Sequence, residues 1–195
     1  MADLPSQGFA KYTLISDHKT LKNDSVSGKT SKRYVNGHLS KFNISFPPLT
    51  ALEFSEIDGF LCDKSMFKSF EITLPDREPL GVATGTPLVN GALAKGISSI
   101  VTDGWTISQT GILKAGDILT FAGHTHVYTC TADTNSDGSG NATLTISPPL
   151  KQAIANNEAI TVNSVKYTVR CTKPHKTRAT PPVIYDFNFN VVEVT

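Results

Sequence analysis

The chain has 195 residues, enough for one large domain or two small ones, each with a real hydrophobic core. Eighteen Lys and Arg against 17 Asp and Glu leave a net charge of +1, which excludes a broad basic surface dedicated to nucleic acid. Three cysteines, Cys62, Cys130 and Cys171, form neither a disulfide framework nor a CxxC metal or redox motif, and are expected to be buried, reduced thiols.

The N-terminal stretch MADLPSQGFAKYTLISD lacks the charged-then-apolar order of a signal peptide, and no apolar run approaches a membrane span, so a soluble chain without membrane insertion is expected. Residues 15–33, ISDHKTLKNDSVSGKTSKR, are polar and Lys-rich with few apolar anchors, the composition of a flexible loop that orders on contact. Residues 41–46, KFNISF, alternate strictly and predict a half-buried strand with Phe42, Ile44 and Phe46 inward. Pro47 and Pro48 end it, and Thr50 with Glu53 has capping-box spacing. An amphipathic helix follows to about Asp63, with Leu52, Ile57, Phe60 and Leu61 near helical spacing. The alternation returns in SFEITLP, where Phe70, Ile72 and Leu74 share a face.

From about Val82 to Val165 the texture changes. Gly and Pro punctuate short runs rich in Thr, Ser, Ala and Ile, which predicts a small all-β module. Five strands are expected, in ISSIVTDGW, DILTFAG, HVYTCTAD, ATLTISP and AITVNSV, with KAGD (Lys114–Asp117) as a turn into the second. After the module, residues 166–178 hold Lys166, Arg170, Lys173, Lys176 and Arg178 with no acid. This is either a partner-contact patch, carried by Lys173, Lys176 and Arg178, or a set of solvated loops. The closing strand, YDFNFNVVEV, puts Phe187, Phe189 and Val191 on one face. Its natural partner sheet lies more than a hundred residues upstream, so the chain reads as a domain split by an insertion.

Candidate chemistry is sparse. Asp133, Asn135, Asp137 and Gly138 match the start of a calcium loop, but position twelve is Leu144 rather than Glu and no helices flank it. A turn between two strands is the simpler reading. His124 and His126 would face one side of an extended strand, a spacing found at metal sites, yet no third ligand lies nearby. His18, His38 and His175 fall in polar stretches that look like surface loops. Trp105, Phe121 and Tyr128 are open to two readings, as a stacking platform on a small barrel or as core. No nucleophile–base pair and no phosphate-binding glycine loop is present. Neither an enzymatic activity nor a cofactor is expected.

The order of these parts, KFNISFPPLTALEFSEIDGFL, FEITLP, an insert, then FNFNVV, resembles the distal tail proteins of siphophages, whose tails are long and non-contractile. The likeness is to the version split by an inserted barrel of the oligonucleotide/oligosaccharide-binding (OB) type. It rests on Phe46–Pro47 ahead of a helix, Lys114–Asp117, Val127–Tyr128 and Pro148–Leu150, in that order and spacing. It implies a mainly β (α+β) fold, with an outer β domain of residues 1–81 and 167–195 and an inserted OB-like barrel of 82–166. It also implies a homo-hexameric ring at the virion tail tip, assembled in the host cytoplasm, which joins the tail tube protein to the baseplate hub. The insert would point outward, where Trp105, His124, His126 and Tyr128 are candidates for contact with host-surface saccharide. A carbohydrate-binding module is the alternative function.

Overall fold

The computed structural model describes residues 3–5, 11–64, 66–174, 176–180 and 184–194. It is mainly β, with twelve strands and one helix among those residues. The chain separates into two units, one of residues 1–72 with 168–194 and one of residues 73–167.

In the first unit, the six-stranded sheet runs in the order β1 (Lys11–Asp24), β2 (Thr30–Ser45), β12 (Ile184–Glu193), β10 (Lys166–Cys171), β3 (Phe70–Thr73), with β11 (Lys176–Thr180) also paired to β12. The alternating patterns explain the sheet directly. Phe42 and Ile44 of β2 pair in register with Val191 and Phe189 of β12, and all four are buried. Phe46 adds its ring to Phe187 and Phe189, at centroid distances of 6.0 Å each.

Helix α1 (Ala51–Lys64) starts where the capping box places it: the Thr50 N–H and hydroxyl both donate to Glu53 Oε2 at 2.8 Å. These bonds hold the Glu53 carboxyl below its usual value. The helix buries Ile57 and Leu61, stacks Phe54 on Tyr185 (4.5 Å between centroids), and sets Phe60 edge-on to Phe70. Leu52, expected on the inner face, is 74% exposed. Cys62 is exposed as well, so only Cys130 and Cys171 match the expected buried thiols, and burial pushes both of these thiols up in pKa.

The largest departure from expectation is the polar segment 15–33. It is strand rather than loop: β1 and β2 form a long antiparallel hairpin, paired from Lys11–Ser45 to Asp24–Thr30, with Gly28 at φ 78° in its turn. Strand β12 pairs with β2 only over Lys41–Ser45, so the remainder is a two-stranded arm. His38 lies on this hairpin and is buried, not a loop histidine; His175 lies outside the described residues.

The second unit is a six-stranded sheet in the order β4 (Gly85–Val89), β5 (Ser99–Trp105), β8 (Ala142–Ser147), β7 (Tyr128–Cys130), β6 (Ile118–Phe121), β9 (Ile160–Thr161). A bridge between Leu88 and Ala159 joins the first strand to the last, giving a nearly closed barrel. Six strands replace the expected five. The additional one, β4, contains Gly85 and Pro87 and a register irregularity between Gly85 and Leu88, features that mask a strand in a sequence. The barrel is filled by Val89, Ile100, Trp105, Leu119, Phe121, Tyr128, Leu144, Ile146 and Ile160 among others. Residues 73–81 go with this unit: the Leu80 and Gly81 N–H groups donate to buried Asp117, and Glu78 accepts from Ser164. Among the described residues no helix is long and apolar enough to cross a membrane.

Candidate functional site

The polar groups singled out by sequence lie at three places. The first is the acidic loop of residues 131–141, between β7 and β8. It is not a simple hairpin tip, because its backbone folds against residues 105–115: Thr134 N–H donates to Leu113 O at 2.9 Å, Ser136 N–H to Gln109 O at 3.0 Å, and Ser108 N–H to Asp137 O at 2.8 Å. The loop approaches so closely that a Cβ on Gly140, whose φ is 78°, would stand 2.5 Å from Trp105 O.

Each calcium-type side chain serves a different part of this construction. Asp133 accepts from Lys114 Nζ at 2.8 Å and from Ala115 N–H at 3.0 Å, which holds its carboxyl below the usual range. Asn135 Oδ1 accepts from Gly111 N–H at 2.7 Å. Asp137 accepts from the Asn141 backbone and side chain and from Ser139 N–H, in that order the causes of its lowered pKa. The three groups diverge onto separate N–H donors instead of converging on one point, so a cation would have to displace several hydrogen bonds to collect them. The arrangement fastens two loops together.

The second place is the barrel interior. Trp105 is 4% exposed and donates from Nε1 to Thr102 Oγ1 at 2.8 Å; Tyr128 is fully buried. Neither ring presents a face for stacking, which corrects the surface-contact expectation for both. His124 and His126 do not lie on a strand, since residues 122–127 leave β6 through a turn and join β7 at Tyr128, and the premise that they share one strand face fails. His124 Nδ1 is 3.1 Å from the Tyr128 hydroxyl, which accepts from Lys151 N–H. Its Nε2 is buried 4.0 Å from Glu158 Oε1. His126 is 1% exposed and edge-on to Tyr128. The rings of His124 and His126 pack against Tyr128, at centroid distances of 6.0 and 5.1 Å.

The third place is the sheet of the first unit. Lys173 is exposed in the bend after β10, and Lys176 and Arg178 lie on β11, where their backbones pair with Asn188 and Asp186. At the base of the arm, Ser16 Oγ lies 2.7 Å from His38 Nε2 and 3.1 Å from His18 Nε2, and Lys41 Nζ pairs with Asp17 at 2.6 Å. The polar, Lys-rich composition of residues 15–33 has the character of a flexible loop, and these residues form the arm's paired strands instead. The strand signal stops short of the arm: Tyr12 and Leu14 form a half-buried face, and no such face continues beyond Asp17.

A β domain interrupted by a nearly closed barrel, with its acidic loop oxygens committed to holding the fold, has the character of a structural module. Residues 77–165 match the family model described as distal tail protein pb9, B domain. The chain is also 26% identical over 171 residues to distal tail protein pb9 of Escherichia phage T5, covering 86% of this chain and 81% of that relative. An alignment of that length must include both units. These two matches support a siphophage distal tail protein, a structural protein of the phage tail.

Proposed function

We propose that this protein forms a ring at the tail tip, a homo-hexamer that joins the tail tube protein to the baseplate hub, and that it is assembled in the host cytoplasm before incorporation into the virion. The observation that carries the reading is the 171-residue similarity to a distal tail protein, which extends beyond the barrel into the β unit. A closed ring needs a heterologous interface, with two different complementary patches on every subunit. The first unit supplies candidates for both, in the hairpin arm and in the outer face of α1. The barrel, of the OB-like kind in this reading, is carried by the ring subunit. Its rings at Trp105, His124, His126 and Tyr128 are enclosed or nearly so, which leaves the saccharide-binding reading without an exposed aromatic platform.

Sedimentation of the purified chain, alone and with the tail tube protein, tests the reading. A six-fold particle, formed alone or on the tube, is the expected result. A chain that stays monomeric with the tube present would overturn it.

A further inference from the structure

Two patches of the first unit are complementary in charge and in apolar anchors, although nothing in that unit brings them into register with each other. The arm is one. Beyond the Asp17–Leu39 pair it continues through seven residues of β1 and nine of β2, or roughly 25 Å at strand rise, compared with a radius of gyration near 13 Å for a domain of about 100 residues. Between the pairs His18–His38 and Thr20–Tyr34, one residue of β1 faces three of β2, a bulge of the kind that bends a strand locally. Residues 18–33 hold five basic side chains, Lys19, Lys22, Lys29, Lys32 and Arg33, against Asp24 alone. Every one of residues 18–33 is exposed, with Leu21 at 63% and Val26 at 110%. A free two-stranded ribbon is only marginally stable in water, and apolar side chains at its end gain nothing from solvent.

The other patch is the outer face of α1. At 100° per residue, Leu52, Glu56, Gly59 and Asp63 fall within a sector of about 60° opposite the buried Ile57 and Leu61. All four are exposed, and the helix carries Glu53, Glu56, Asp58 and Asp63; Asp63 is paired with Lys64 and with Lys68 just past the helix, which leaves the region net acidic by two charges. Leu52 at 74% and, just past the helix, Phe67 at 91% are its apolar anchors. Gly59 has no local reason to be glycine, because nothing lies within 4 Å of an added Cβ, and a mid-helix glycine is less favourable than alanine. A missing side chain at the centre of an exposed helix face permits close approach by another backbone.

We infer that the basic β1–β2 arm of one copy lies across the net-acidic outer face of α1 in a second copy, with Lys29, Lys32 and Arg33 toward the Glu56 side of the helix, and Leu21 and Val26 toward Leu52 and Phe67. The contact is heterologous, so repeating it carries each arm to the next subunit. The inference rests on the ring reading only for the number of copies. A second copy is favoured over nucleic acid because the whole chain is nearly neutral while the arm and helix divide the charge between them.

Exposed Cys62, on the margin of the α1 face, supplies a test, because Cys130 and Cys171 are buried. Full-length Lys32→Cys/Cys62→Ser chains are mixed with unmodified chains and oxidised. The expected product is a disulfide-linked heterodimer, exceeding either self-linked control. Independently, Lys29→Glu/Lys32→Glu/Arg33→Glu is expected to weaken self-association about tenfold, with recovery when Glu56→Lys is added to the same chain. A six-fold particle with no heterodimer linkage overturns the arm contact and leaves the ring reading standing. Absence of both linkage and self-association at every concentration overturns the arm contact, while the ring reading is still decided by the chain bound to tube protein. Duplex DNA binding that is lost in the triple variant, without linkage, assigns the arm to nucleic acid and overturns it also.

Discussion

The acidic loop of residues 131–141 and the basic arm of residues 18–38 are both polar, glycine-containing stretches that composition marks as connectors, and they end in opposite situations. In the loop, Asp133, Asn135 and Asp137 each accept from N–H groups of their own unit. In the arm, Lys29, Lys32 and Arg33 are exposed, with no ion pair among the described residues. Polar residues whose hydrogen bonds are satisfied internally serve stability, and polar residues left to solvent on an ordered projection are available for recognition. This contrast yields a set of perturbations that should separate the two roles.

The largest effect is expected inside the barrel to which the loop is fastened. Trp105→Ala removes a buried ring and leaves Thr102 Oγ1 without its donor, and should lower the unfolding free energy of the chain by about 3–5 kcal/mol in a denaturant titration. Asp137→Ala, which strips three N–H groups of their acceptor, should shift the same transition in the same direction by a smaller amount, with no change in self-association. Retained stability in Asp137→Ala would remove the loop from the structural side of the comparison.

Acid should act on the same side. Asp133 and Asp137 are held below their ordinary value in the folded chain, and Asp63, bonded by Lys64 and Lys68, is lowered from 3.8 to about 2. A carboxyl with a lowered folded pKa stabilises above its unfolded value and loses that contribution as pH falls through its folded value. Thermal stability should therefore be level above pH 4 and decline between about pH 4 and pH 2, modestly, because these groups are exposed to solvent screening. A decline that begins near neutral pH would point to other groups.

Gly59→Ala should raise the stability of the isolated chain by about 0.5–1 kcal/mol, since the added methyl meets nothing, and at the same time weaken self-association. The smallest effect on stability belongs to the arm. Replacing residues 21–33, all exposed, by an Asn-Gly turn between Thr20 and Tyr34, which already face each other in register, should change the unfolding midpoint of the rest of the chain little while abolishing assembly.

The sequence made visible those elements that bury one face. Phe42, Ile44, Phe70, Ile72, Phe187 and Phe189 alternate because one side of each strand meets the core, and Thr50 with Glu53 announced the helix start. It concealed elements whose stability comes from pairing alone. The arm has no buried face over residues 18–33 to impose a period of two, and β4 is disguised by Gly85 and Pro87. Buried Asp117, with three N–H groups of Leu80, Gly81 and Lys114 on its carboxylate, was readable only as part of a turn. For the ring residues of the barrel, sequence left core and surface open because a lone Trp or Tyr in a short strand is compatible with either, and closure of the sheet decides it.

The central claim is that this protein is a ring component at the tail tip. Electron microscopy of virions whose copy of this chain carries a gold-labelled tag on the exposed barrel turn at Lys95 tests it most directly. The account predicts label confined to the tail end distal to the head, with averaged images showing six-fold density. Label spread along the tail or gathered at the head would contradict it.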